Sequence, residues 1–179
     1  MRFSLPLVAA AVLLAGCATL DEAECRSVDW FDLGVRDGAD GYAATRIGDH
    51  RQACSEFGLG VEQADWRRGY EAGLESYCTI DNGYAVGRRG MYYGRVCPLD
   101  MERDFLAAFA LGRETYDVEQ EMAQLDQRIV SLESRLARSE DLSDQARLDA
   151  RRALGELYRQ MSWLRRSRDR LEFEWRSRF

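Results

Sequence analysis

The chain contains no lysine, so all 25 of its basic side chains are arginine. It has one histidine, His50, and two prolines, Pro6 and Pro98. The absence of lysine reads as genomic base composition rather than chemistry. With 31 acids against 25 bases and a net charge of −6, nothing in the charge balance suggests a nucleic-acid partner. Also missing are a Gly-x-Ser-x-Gly elbow, a phosphate loop and a Cys–His nucleophile pattern, which removes the commonest hydrolase and nucleotide-binding signatures. The apolar run from Phe3 to Leu14, broken by Ser4 and Pro6, is too short to span a bilayer. Behind Met1-Arg2 it reads as the h-region of a signal peptide. It ends in Leu14-Ala15-Gly16-Cys17, where two small residues suit a peptidase cleft and Cys17 supplies the thiol for a diacylglyceryl group. The expectation is a signal peptide over 1–16, a lipidated Cys17 and a short tether over 17–24. Residue 18 is Ala and not Asp, so the expected location is the cell envelope, anchored to the outer membrane and facing the periplasm.

Removal of residues 1–16 leaves 163 of the 179, enough for one domain and an extension. Cys25, Cys54, Cys78 and Cys97 remain, an even number in an oxidising compartment, and two disulfides are expected. Three pairings are possible. Neighbour pairing, Cys25 with Cys54 and Cys78 with Cys97, closes the shorter loops; the rival is a zinc site, although no Cys-x-x-Cys occurs. Composition shifts near Pro98. Residues 25–99 form a Gly/Cys-rich head too small to bury a comfortable core without disulfides or a packing neighbour, and residues 100–179 form a second region.

A short pattern of small residues four apart recurs in the head, as Gly34–Gly38, Gly69–Gly73 and Gly83–Gly87, with Ala108–Gly112 as a related version. On a helix, such residues share a face and let another backbone approach closely. Trp30 and Trp66 each precede a stripe, consistent with two similar helical units, but the uneven spacing fits no fixed solenoid period. Gly83, Gly90 and Gly94 could instead be turns.

Three runs carry a family resemblance: Trp30-x3-Gly34-x2-Asp37-Gly38, His50-x3-Cys54 and Tyr70-x2-Gly73-Leu74-x2-Tyr77-Cys78. A fourth is Asn82-Gly83-Tyr84-x2-Gly87-x2-Gly90-x2-Tyr93-x2-Val96-Cys97-Pro98. Together, over roughly residues 25–115, the chain resembles the bacterial lipoprotein family called domain of unknown function 2799. The resemblance implies a lipoprotein of the same build, and it carries no reaction, ligand or catalytic residue.

The second region reads as long helix. Val118, Met122, Leu125, Ile129, Leu132 and Leu136 alternate spacings of four and three, the seam of a heptad pattern. Phe105, Phe109, Gly112 and Tyr116 extend it upstream. One helix is expected over about 100–138, with Asp100 a candidate cap, then a turn over Ser139–Ser143 and a second helix over about 143–178. In the second helix Leu154, Leu157, Met161, Leu164, Leu171 and Trp175 keep the seam, interrupted by Arg168. Residues 100–138 hold nine acids and five arginines, whereas 142–179 hold ten arginines and six acids. Two helices of similar length and opposite charge predict an antiparallel coiled-coil hairpin roughly 55 Å long. The expected fold class is therefore mostly α, a small disulfide-bonded helical head followed by that hairpin.

Candidate chemistry is sparse. His50 follows Asp49, so a general-base pair can be imagined, but a packed or capping histidine is the plainer reading. Asp29, Asp32, Asp37 and Asp40 faintly suggest a calcium loop, yet they lack the ordered alternation of an EF-hand and read rather as a solvated helix face or turn. Tyr84, Tyr92 and Tyr93 near Arg88 and Arg89 could stack a sugar or peptide, against the commoner fate of aromatic packing. His50, Tyr93 and Arg88 are accordingly the candidate ligand-binding residues, with no catalytic residue, metal or cofactor expected. The expected function is non-enzymatic: an anchored envelope protein whose hairpin, residues 100–179, packs against an envelope partner or a second copy. The alternative is an envelope hydrolase or a small-ligand or glycan-binding protein that uses the head.

Overall fold

The computed structural model describes residues 19–138 and 143–179, which form seven helices and, among the described residues, no strand. The expected signal peptide, Cys17 and most of the Ser139–Ser143 turn lie outside the described residues. The helices are α1 (Glu22–Ser27), α2 (Trp30–Ala39), α3 (Arg46–Ser55), α4 (Gln63–Tyr77), α5 (Ile80–Arg88), α6 (Leu99–Arg138) and α7 (Asp144–Arg178). None of the described helices is long and apolar enough to cross a membrane.

Local sequence sets most of the boundaries. Asp21 and Glu24 close a reciprocal capping box on α1, each carboxylate accepting the other's backbone N–H at 2.8 Å. The side chains of Asp29, Thr79 and Ser143 accept the free N–H groups that open α2, α5 and α7. Asp100 does not cap α6. That helix begins one residue earlier, at Leu99, and the Pro98 carbonyl takes the N–H of Met101 and Glu102. Asp100 instead sits in the first turn, where its charge meets the positive end of the helix dipole.

The small-residue stripes pair with one another. A Cβ built on Gly34 would lie 2.1 Å from the Trp66 carbonyl oxygen, and one on Gly38 would lie 2.2 Å from that of Tyr70. Reciprocally, Gly69 and Gly73 face the carbonyls of Phe31 and Val35 at 2.0 and 2.2 Å. Since the partners rise together along both helices, α2 and α4 run parallel, backbone against backbone. Helices α5 and α6 repeat the arrangement, with Gly83 and Gly87 against the carbonyls of Phe105 and Phe109 and Gly112 against that of Tyr84. Ala108, the one stripe member with a Cβ, is completely buried.

The two pairs share further detail. Gly34, Gly38 and Gly41 recur 49 positions on as Gly83, Gly87 and Gly90, while Gly69, Gly73 and Tyr77 recur 39 positions on as Ala108, Gly112 and Tyr116. Gly41 at φ +73° and Gly90 at φ +67° end α2 and α5 with the same bonds. Gly41 and Tyr42 donate to the carbonyls of Gly38 and Asp37, and Gly90 and Met91 donate to those of Gly87 and Val86. A Cβ on either glycine would strike the ring of Tyr77 or Tyr116. The head is thus two copies of one plan, a glycine-striped helix joined by a crossover to a parallel partner. The crossovers differ, α3 with its flanking loops in the first unit and the shorter segment Met91–Pro98 in the second, which is why the stripes show no fixed period.

Each unit carries one disulfide between the approach to its first helix and its crossover, Cys25–Cys54 and Cys78–Cys97, with Cα–Cα distances of 5.5 and 5.6 Å. This is the neighbour pairing. Packing crosses the composition change at Pro98. Phe105 is fully buried in the same core as Trp30, Trp66, Tyr77 and Val86, so the first half of α6 completes the head.

Beyond the head α6 packs on α7 through a second core of Leu125, Ile129, Leu157, Met161 and Leu164, flanked by Val118, Met122, Leu132 and Leu154. Glu121 accepts from Gln160 at 3.2 Å, and Glu133 accepts from Tyr158. At the other end of α7 Trp175 stacks on Tyr84 of α5 with ring centroids 4.0 Å apart. Arg168 interrupts the apolar spacing, but the buried position in that turn is its neighbour Ser167; Arg168 turns aside to Asp169, at 2.6 Å, and to Glu172.

Candidate functional site

The head has one buried cluster of titratable and polar groups, within the first unit. Along α2 the inward positions are Trp30, Leu33, Gly34, Asp37 and Gly38, so the helical repeat places Asp37 on the apolar face. It is 5% exposed, not part of a solvated acidic face. A carboxylate buried there needs donors. Asp37 Oδ2 accepts from Trp66 Nε1 of α4 at 2.8 Å and lies 2.9 Å from His50 Nε2 of α3. The other ring nitrogen, Nδ1, lies 2.7 Å from the hydroxyl of Thr19. His50 is 2% exposed. The Asp49 imagined as its partner points away, to Arg46 at 3.6 Å, because neighbouring residues on a helix diverge by about 100°.

The polarity of this chain of bonds follows from the carboxylate, which only accepts. His50 therefore gives its Nε2 hydrogen to Asp37, and Nδ1 shares a hydrogen with the Thr19 hydroxyl. Hydroxyl, imidazole and carboxylate in that order form the relay by which acyl-transfer enzymes activate a nucleophile. Here the imidazole and carboxylate face one another inside the core, and the Trp66 indole shares the same carboxylate oxygen. Tyr70 stacks on Trp66 with centroids 4.8 Å apart and donates its hydroxyl to the Tyr42 carbonyl. Burial first, then the charge of Asp37, pushes its phenol above the ordinary tyrosine range. Outside Trp66 lies an open depression of about 240 Å³, lined by Ile47, Trp66, Tyr70 and Leu74 and smaller than most small-molecule pockets.

Comparison of the two units shows what the cluster is not needed for. Under the internal correspondence Asp37 falls on Val86 and Trp66 on Phe105, and the second unit closes with these apolar residues 1% and 0% exposed. The backbone plan therefore does not require a buried acid. What the cluster adds is a hold on Thr19, and Leu20 beside it is also buried, at 7% exposed. From Thr19 onward, the segment expected as a tether is folded against the head.

The structure places the other two candidate residues elsewhere. Tyr93, in the second crossover, packs on Phe105 with centroids 4.7 Å apart. Its hydroxyl accepts from the Cys97 N–H at 3.0 Å and donates to Glu102 at 3.1 Å, and burial pushes its pKa up to about 12. Arg88 pairs with Glu119 at 2.9 Å across α5 and α6. Tyr84 is engaged with Trp175, and Tyr92 is exposed alone. His50, Arg88 and Tyr93 do not converge on one surface. Cys54, four residues after His50 on α3, is in the disulfide with Cys25, so no thiol stands beside the imidazole. Sequence reading missed Thr19 and Trp66. The usable signal was Asp37 at an inward spacing on α2, which demands partners without saying which ones.

No curated protein and no solved structure matches the chain. Residues 29–114 match the model of the family described as Protein of unknown function (DUF2799), from the cap of α2 to the turn of α6 just past Gly112. That span contains the glycine contacts of both parallel helix pairs, so the two-unit head is the part of the chain that is similar to this family.

Proposed function

We propose that this is a lipid-anchored envelope protein, held through Cys17 at the periplasmic face of the outer membrane, that works by binding other proteins and not by catalysis. In this reading α6 and α7 beyond the head form an antiparallel coiled-coil hairpin that carries the contacts. The observation that supports it is the second core. Leu125, Ile129, Leu157, Met161 and Leu164 hold the two helices together away from the domain that both helix pairs complete. Heptad spacing on both helices and a bond from Gln160 to Glu121 suit knobs-into-holes packing. Arg135 and Arg151, near the far end, are exposed and open to a partner.

Photo-crosslinkers at Arg135 and Arg151 in living cells test this reading. A single reproducible envelope protein captured from both positions is the expected result. Self-crosslinks alone would make the hairpin an oligomer contact, and no capture would return attention to the head. Anchorage is tested separately, by incorporation of labelled palmitate into the wild-type chain and its loss in Cys17→Ser.

A further inference from the structure

We infer that the outward face of α7 is a docking surface for an anionic phospholipid bilayer. At about 100° per residue, Arg152, Arg159, Trp163, Arg166, Arg170 and Phe173 fall within a sector of about 80°, opposite the Leu157, Met161, Leu164 and Leu171 stripe that faces α6. They extend along about 30 Å of helix. All six are exposed, Trp163 at 57% and Phe173 at 72%. Arg152 and Arg159 have only intrahelical pairs at the surface, with Asp149 and Glu156. Arg166 and Arg170 make no ion pair among the described residues.

Charge indicates the chemistry of the partner. Residues 144–178 carry ten arginines and six acids, while the rest of the chain carries fifteen arginines and 25 acids, so α7 is a basic element on an acidic molecule. A second copy is a poor match. Six of the nine acids of α6 are already engaged, among them Glu119 with Arg88, Glu121 with Gln160 and Glu133 with Tyr158, and the other three, Asp100, Glu114 and Asp126, are spread along the helix instead of forming a matching strip. A rigid acidic protein would need concave pockets to receive two aromatics that stand out from a convex helix. A bilayer surface needs none, because its phosphates and headgroups rearrange around protruding side chains. Arginine binds phosphate through a two-pronged fork, and Trp and Phe settle at headgroup level. The inference does not rest on lipid anchorage, since the surface belongs to the folded chain.

The test uses the chain from Ala18 to Phe179, secreted without an acceptor cysteine and with its disulfides formed, mixed with vesicles. One set is phosphatidylcholine alone and the other phosphatidylcholine with phosphatidylglycerol. The expected result is co-sedimentation with the anionic vesicles only, weakened by added salt. Each neutralised arginine near a membrane surface is worth about a five-fold change in affinity, so the double variant Arg166→Gln/Arg170→Gln should bind about 25-fold more weakly. Trp163→Phe should remove a blue shift in fluorescence seen on binding. Equal binding to both vesicle types, no binding to either, or anionic binding that the double variant leaves unchanged would each overturn the inference. Circular dichroism confirms that the variants, all at exposed positions, remain folded.

Discussion

At the scale of single residues, the stripe glycines and the buried polar chain make opposite demands. Gly73 has no room for a methyl group, because both the Val35 carbonyl and the Ala39 N–H stand where it would go. Gly73→Ala should cost about 3 kcal/mol or more, lowering the melting temperature by about 10 °C. Gly48, on α3, has nothing within 4 Å, and Gly48→Ala should be neutral or stabilising by about 0.5 kcal/mol. Thermal melts of the two variants side by side check that close approach, and not helix propensity, sets the difference. Asp37→Ala strands the His50 and Trp66 donors and should cost about 3 kcal/mol or more. The triple change Asp37→Val/His50→Leu/Trp66→Phe removes donors and acceptor together, giving the first unit an apolar core like that of the second. It should melt closer to wild type than Asp37→Ala does, while the Leu20 amide exchanges faster for want of the hold on Thr19. Tyr93 supplies a pH dependence. Its phenol is raised to about 12 in the folded chain and ionises near 10 when unfolded, so its contribution is complete below about pH 10 and is lost as the pH rises toward 12. Denaturant midpoints should fall across that window, and Tyr93→Phe should flatten part of the fall.

At the scale of elements, α6 belongs to two cores at once. A chain ending at Pro98 lacks Phe105 and Ala108 and leaves α5 with no partner for Gly83 and Gly87, so it should show little cooperative unfolding. One ending at Gln120 keeps the glycine contacts between α5 and α6 and the Arg88–Glu119 pair, and should unfold as a single transition by circular dichroism. The loops closed by the disulfides span 29 and 19 residues, which corresponds to about 3 kcal/mol of unfolded-state entropy for each. Most of the elements were legible from spacing alone. The long helices followed from apolar alternation, and close helix contacts from small residues four apart. What periodicity could not give was which stripe meets which, since four similar stripes allow several pairings and only the crossover lengths choose α2 with α4 and α5 with α6. Nor could it place His50, whose partners stand 13 and 31 positions away. Local adjacency pointed to Asp49, but a helix directs consecutive side chains to different sides.

At the scale of the whole molecule, a twofold head and an acidic α6 against a basic α7 give the protein distinct ends and sides. If the second core holds a projecting pair of helices, Met161→Leu should cost little, because the two side chains have similar volume. Leu164→Asp, at a fully buried position, should instead loosen the packing of α7 on α6 and leave the head intact. Near-ultraviolet signals from the head would persist while total helix content falls. The hold on Thr19 has a mechanical consequence. In the lipid-anchored reading, one residue, Ala18, separates the anchor from the first fixed side chain, so any pull between membrane and a partner on the far helices enters the fold at Thr19. From Cys25 the load would pass through the sulfur bridge to Cys54, sparing the striped helix α2, and from Cys78 through the second bridge to Cys97, sparing α5. The head would then behave under tension as a short strap with two covalent shortcuts, whose slack is released only when its sulfurs are reduced.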